Sequence, residues 1–208
     1  MAIYCKDLFI TGRIEMKNYE YHRIGKLAEQ LEIAGINREI IDRIMEGGED
    51  ILRKTSPEKK ADWFREAMIK MDELLDIETR KSVREGCACC LGGQRLKISQ
   101  GIARENESLE ERIKAANEAH LVFGNSVTMT DEGEIRVRFF PEDLDQYRCV
   151  CLPQAKEPLS ITYCYCCGGH VKHHLQTAIG RKLDCTTLSS ALSSGGKEPC
   201  TFSFRIMQ

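Results

Sequence analysis

The sequence lacks most of the features that would place it quickly. No apolar run approaches the roughly 18 residues that a membrane-spanning helix needs, so no membrane association is expected. The opening stretch MAIYCKDLFITGR sets Lys6 and Asp7 where a secretory leader needs an unbroken apolar run, so a cytoplasmic setting is expected. No long basic run occurs and the formal net charge is -2, so nothing draws the chain as a whole toward nucleic acid. There is no Walker loop and no dinucleotide fingerprint. No pair of carboxylates with divided roles and no Ser-His-Asp order stands out. Nucleotide chemistry and triad-type hydrolysis therefore have no signal here. Composition is that of an ordinary globular chain, 42% hydrophobic and 30% charged, enough to bury a core.

What is abundant is cysteine, eleven in 208 residues. An odd number cannot pair fully within one chain, and thiols in a reducing compartment stay reduced. Clustered reduced cysteines beside histidines read as metal or redox chemistry before they read as disulfides. Cys5 stands apart and suits the plainer role of a small buried hydrophobe. Nine of the eleven fall between Cys87 and Cys185, mostly in CxC or CC pairs, which that plainer role does not explain.

Residues 1–84 read as a helical N-terminal region. Leu27, Leu31 and Ile33 end one amphipathic stretch; Ile36, Ile40, Ile41 and Ile44 continue at helical spacing until Gly47-Gly48. Ser56-Pro57 then opens a long helix, serine as N-cap and proline in the first turn, with Trp63, Phe64, Met68, Met71 and Leu74-Leu75 as its buried stripe. Residues 85–208 read as a cysteine-rich α+β domain. Leu91 to Ala103 predicts a helix, and Ser108-Leu-Glu-Glu111 is a capping box for another through about His120, itself a surface or capping residue. Ser126–Thr130 and Ile135–Phe140 alternate around Asp131-Glu132-Gly133, a hairpin ended by Pro141, with Arg136 and Arg138 on one face that reads either as solvated or as a contact for an anionic ligand. Cys149 to Pro153 reads as loop and Ile161 to Tyr163 as a short strand. A helix from about Gly169 to Ile179 follows, then strands Lys182–Leu188 and Cys200–Ile206. The expected fold is α+β: a helical N-terminal part, then a small antiparallel sheet module ending hairpin, helix, hairpin.

Two stretches carry the chemistry. CYCCGGHVKHH, at 164–174, and CACCLGGQRLK, at 87–97, share the order Cys-x-Cys-Cys, Gly-Gly, basic helix. If the second helix starts near Gly168, His170 and His174 lie one turn apart on one face, with Cys166 or Cys167 one turn before them. Thiolate and imidazole together suit zinc, and iron or copper can accept them as well. The loop pair Cys149 and Cys151 forms a third CxC. The candidate metal ligands are Cys87, Cys89, Cys90, Cys149, Cys151, Cys164, Cys166, Cys167, His170, His174, Cys185 and Cys200. The same cysteines also read as reactive thiols, because a helix N-terminus lowers a thiol pKa and His170 can act as a base. The Gly-Gly pairs read either as helix-entry turns or as close-approach points for an anionic ligand, with Arg95, Lys97 and Lys172 nearby.

The stretch CCGGHVKHHLQTAIGRKLDCTTLSSALSSGGKEPCTFSFRI resembles the end of the 4-vinyl reductase-like domains, through Gly180, Cys185, Gly195-Gly196, Cys200 and Phe202 in that order. It is similar as well to the ending of the L-2-amino-thiazoline-4-carboxylic acid hydrolase-like family. As a whole the chain resembles a cysteine-rich family of unknown function from anaerobic bacteria and archaea. The resemblance implies a small-ligand-binding α+β fold whose closing hairpin offers Cys185 and Cys200 to a metal or to redox sensing. Asp184, not glutamate, precedes Cys185, and the CxCC and His-x-x-His-His elements are additions, so no substrate carries over.

Three functions are therefore expected, in this order. The first is a cytoplasmic metal-binding protein, with zinc as the expected metal and iron or copper as alternatives, that binds or senses a small ligand or redox state. The second is a Cys/His- or metal-dependent hydrolase-type enzyme for a small thiol-, thiazoline- or amide-like substrate. The third is an interaction module built on the helical half. The expected partners are a small-molecule ligand and a second copy of the chain, with neither nucleic acid nor membrane indicated.

Overall fold

The computed structural model describes residues 18–207; Cys5 lies outside them. Helix α1 (His22–Ile33) forms on Ile24, Leu27, Ala28 and Leu31, which share one buried face at helical spacing. Ile33, expected to extend that stripe, is 69% exposed, because two residues past Leu31 it points about 200° around the helix. In α2 (Arg38–Ile44) the Asn37 side chain accepts the Glu39 N–H, and Ile41 and Ile44 are buried. Helix α3 (Pro57–Leu74) starts where Ser56 and Pro57 predict, the Ser56 hydroxyl accepting from Lys59 N–H. It buries Phe64, Ala67, Met68 and Met71, each worth about 1.5–3 kcal/mol where the side chain is large. Helix α4 (Ile77–Gly86) is capped by Asp76.

Helix α5 (Gly93–Glu105) follows, then α6 (Leu109–Glu118), whose capping box is complete in both directions between Ser108 and Glu111. The helix expected to reach His120 breaks instead at Ala119, where ψ turns to 58°, and a single turn, α7 (His120–Phe123), resumes it. Strands β1 (Ser126–Met129) and β2 (Ile135–Arg138) form the predicted hairpin. Strand β2 stops short of Phe140: Phe139 makes one more bond, to the Cys200 carbonyl, and Pro141 has no N–H to continue it.

The segment expected as a strand at 161–163 is a 3-10 turn, Ile161–Cys164, running straight into helix α8 (Tyr165–Ile179). The β-branched residues suggested a strand, but the Ser160 hydroxyl accepts the Thr162 N–H at 3.1 Å and sets a local turn that wins. Helix α8 thus starts four residues before the expected Gly169, and Cys166 and Cys167 lie inside its first turn. Strands β3 (Leu183–Ser189) and β4 (Thr201–Ile206) close the chain. The sheet runs β1-β2-β4-β3, all antiparallel, so the two hairpins meet along β2 and β4.

Among the described residues no helix is long and apolar enough to cross a membrane. One core joins the sheet to α5, α6 and α8 through Phe123, Val137, Leu175, Phe202 and Phe204. The other fills the N-terminal helices and takes in Leu152, Leu159, Tyr163, Cys164 and Leu192 from later in the chain. Helix α8 lies between them, and its glycines let it. A Cβ on Gly169 would sit 2.4 Å from the Glu85 carbonyl oxygen, and one on Gly168 would sit 2.9 Å from Cys185 Sγ. This pair is therefore a close-packing surface between α8, α4 and the sheet. Gly92-Gly93 is a helix-entry turn, with Gly93 at φ 63°.

Candidate functional site: a thiol-lined cavity

The chain between α4 and α5 carries the CxCC run, and α8 holds it in place. Cys87 ends α4; Cys90 stands at φ 60°, a left-handed conformation that costs a non-glycine residue about 1 kcal/mol or more. Three histidines of α8 bond three consecutive carbonyls of this segment. His170 Nδ1 lies 2.9 Å from Cys89 O, His174 Nε2 3.0 Å from Cys90 O, and His173 Nε2 3.2 Å from Leu91 O. A carbonyl can only accept, so each of these nitrogens carries a proton and donates it. Helical spacing explains why one helix can do this: the three residues occupy one face, and the His170 and His174 rings meet edge-on at 4.7 Å. His174 is 0% exposed and its Nδ1 is 3.1 Å from Ser99 Oγ, so both ring nitrogens face protein partners. Burial holds its pKa down to about 4, so its imidazole is neutral near pH 7. Burial also lowers His170, whose ring lies near the Val122 carbonyl as well.

The clamped segment forms one wall of a cavity of about 300 Å3. Five thiols line it: Cys89 and Cys90 from this segment, Cys151 from the loop after β2, Cys166 and Cys167 from α8, with His170 beside them. The facing wall is apolar, formed by Val122, Phe139 and Phe140, with Leu121 and Val150 exposed at its rim. Cys151 Sγ and Cys167 Sγ are 3.7 Å apart. That is far longer than a disulfide of about 2.05 Å. It matches the edge, about 3.8 Å, of a tetrahedron built on metal–sulfur bonds of about 2.3 Å.

Behind the thiols lies a second void of about 30 Å3, and Cys89, Cys151 and Cys166 line both spaces. Its other walls include Arg23, Arg84 and Tyr163. Arg84 is 3% exposed; its Nη2 donates to Tyr163 O at 3.0 Å, and its guanidinium lies 4.7 Å from the Tyr163 ring centre. Its Nε is buried without a hydrogen-bond partner, and the charges bearing on it are those of Cys87, Cys166, Tyr163 and Cys164, with no carboxylate among them. Arg23 Nη1 donates to Cys151 O at 2.8 Å. With no carboxylate among the groups that bear on it most, the buried Arg84 cation favours the thiolate of Cys166, whereas burial outweighs it at Cys87 and Tyr163, both raised. Hydrogen bonds from the Cys149 and Cys167 thiols, with Arg23 behind, lower the pKa of Cys151. The same Cys167 proton, shared between its two neighbours, and the Arg84 guanidinium behind lower that of Cys166.

None of the remaining candidates lines this cavity, and of them Cys149 reaches it through its hydrogen bond to Cys151. Cys164 bonds Ser190 Oγ at 3.0 Å, Cys185 packs from β3 against Gly168 of α8, and Cys200 accepts from Ala191 N–H at 3.4 Å. All three are buried, and burial pushes Cys164 and Cys185 up to about 12. Cys87 lines only the inner void, its thiol raised by burial. Cys149 accepts the Leu152 N–H and lines a separate hollow of about 320 Å3 under residues 146–158. That hollow holds none of the other candidates, so the chemistry is placed in the cavity with five thiols. Among the described residues no three His, Cys, Asp or Glu side chains stand close enough together to grip one ion. Arg23, Arg84, Tyr163 and the Phe139-Phe140 wall are site residues that the sequence did not announce. Only the position of Arg84, three residues before Cys87 on a helix, places it by local spacing.

A family model described as a family of unknown function, DUF6144, matches residues 25–205. A search of curated proteins returns no match.

Proposed function

The chain belongs to the DUF6144 family, and for it we propose a metal–thiolate centre at the floor of a small-ligand pocket. The observation that carries this reading is the convergence of five thiols from three separate segments on one cavity, two of them 3.7 Å apart. Thiolates are soft donors that zinc, iron and copper(I) all accept. The two guanidiniums behind them offset the charge that deprotonated sulfur brings. The apolar wall of Phe139, Phe140 and Val122 gives a small ligand a place to bind beside the metal. Full-length protein purified anaerobically without added metal is expected to carry stoichiometric metal by elemental analysis. The double change Cys151→Ser, Cys167→Ser is expected to remove it while far-ultraviolet dichroism stays native. Fully folded wild-type protein that carries no metal and binds none on titration with zinc, ferrous and cuprous ions sinks the proposal.

A second reading rests on one further observation: Cys151 and Cys166 each face the apolar cavity on one side and an arginine-lined void on the other. That is a setting for a nucleophilic thiolate in a hydrolase-type enzyme acting on a small thiol-, thiazoline- or amide-like substrate. It predicts that one of the two reacts with iodoacetamide at pH 7 far faster than a free peptide thiol. Uniform slow alkylation across all the cysteines refutes it.

A further inference from the structure

We infer that the group held by these thiols is an iron–sulfur cluster, with four of Cys89, Cys90, Cys151, Cys166 and Cys167 as its ligands. The inference rests on the metal–thiolate reading and narrows it. The first argument is the spread of the donors. Five thiols ring a space of about 300 Å3, yet no three described donors converge on a point where a single ion could sit. Donors distributed around a void fit a group of several atoms, with each metal atom taking the thiolates nearest to it. Cys151 and Cys167, at 3.7 Å, have the separation of two sulfurs on one tetrahedral metal atom and leave the other thiols for a second metal atom.

The second argument is charge. Bridging sulfides and four thiolates together outweigh the positive charge of the iron, so a cysteine-ligated cluster is a net anion. A buried anion needs cations that are not already spent on carboxylates. Arg84 meets that need: it is 3% exposed, the groups that bear on it most are Cys87, Cys166, Tyr163 and Cys164 with no carboxylate among them, and its buried Nε–H has no acceptor. It lines the void that shares Cys89, Cys151 and Cys166 with the larger cavity, and Arg23 lines the same void. Hydrogen bonds from such donors to cluster sulfurs are a recognised means of setting cluster properties. The third argument is the setting. Val122, Phe139 and Phe140 shield one side of the space, and the His170, His173 and His174 clamp fixes the CxCC segment through its carbonyls. Ligand binding costs each of the four cysteines its proton, released to solvent.

The test is anaerobic reconstitution of the full chain with ferrous iron and sulfide, followed by iron and acid-labile sulfide assays, visible absorption, and electron paramagnetic resonance after dithionite. Iron and labile sulfide are expected in equal amounts, with sulfur-to-iron charge-transfer absorption. Cys151→Ser and Cys166→Ser are expected to lose both together, whereas Cys164→Ser, outside the cavity, keeps both. Arg84→Met is expected to weaken cluster retention about 10-fold with dichroism unchanged. Should the serine variants fail to fold, cysteine footprinting of the wild type gives the same answer: cluster assembly protects four of the five cavity thiols from iodoacetamide. Bound zinc, or iron without labile sulfide, overturns the cluster and leaves the metal–thiolate reading standing. Protein that binds neither zinc, iron nor copper overturns both.

Discussion

His174 offers the sharpest test of the clamp. Its imidazole is 0% exposed, its Nε2–H donates to the Cys90 carbonyl, and Ser99 Oγ approaches Nδ1. Burial disfavours the imidazolium, and His170, His173 and Arg95 nearby oppose it further, so the folded-state pKa falls from 6.5 to about 4. In the unfolded chain the ring titrates near its ordinary value. A depressed folded pKa means that the unfolded state binds the proton more readily. His174 therefore contributes its full share of stability above about pH 6.5, and that share is lost progressively as pH falls toward 4. Each unit of separation is worth about 1.4 kcal/mol, so the loss reaches about 3 kcal/mol at pH 4. Carboxylates titrate in the same range, so the assay is a difference. Urea denaturation of wild type and His174→Gln, run every half unit from pH 7.5 to 4, gives the gap in unfolding free energy. Wild type leads at neutral pH, and the gap closes by about 3 kcal/mol on acidification. A gap that stays constant with pH refutes the argument, because it means that His174 titrates alike in folded and unfolded chains.

Other consequences of the packing can be checked in the same way. Gly169→Ala sets a methyl against the Glu85 backbone and forces α8 off α4, at a cost of about 1–3 kcal/mol read from denaturation midpoints. Phe64→Ala empties a site that is 1% exposed and edge-on to both Trp63 and Tyr163, and is expected to cost about 3–5 kcal/mol in the same assay. Ser108→Ala removes one half of the capping box and should lower stability by about 1 kcal/mol. Brief iodoacetamide treatment with mass-spectrometric mapping should label exposed Cys89 and Cys90 and leave buried Cys164, Cys185 and Cys200 unmodified until denaturant is added.

The fold was legible wherever a residue acts through its own neighbours. Ser56-Pro57, the Ser108–Glu111 box and the Asp131–Gly133 turn each set an element through bonds a few residues long, and each stands where expected. The strand expected at 161–163 failed for the same kind of reason. Ile161 and Thr162 favour extended backbone, but the nearest hydrogen-bond partner, the Ser160 hydroxyl, closes a turn. Pattern gave a preference and local bonding decided it.

The site divides along the same line. Spacing identified one face of α8 carrying His170 and His174 with the cysteines one turn earlier, and in the structure His170, Cys166 and Cys167 do face one cavity. Spacing could not say what a histidine nitrogen would meet, because the answer lies some 80 residues away in sequence, in the carbonyls of Cys89, Cys90 and Leu91. A carbonyl leaves no trace in residue identity, so a histidine serving as its donor and a histidine poised for a metal read alike. The charge balance was equally hidden. Arg84 is one of 30 basic residues and becomes distinctive only when burial sets it among thiols and Tyr163, behind Cys166. The two pieces of information are complementary. The sequence shows which segments hold sulfur; the fold shows that three of those segments share one space, and that Arg23 and Arg84 stand on its far side.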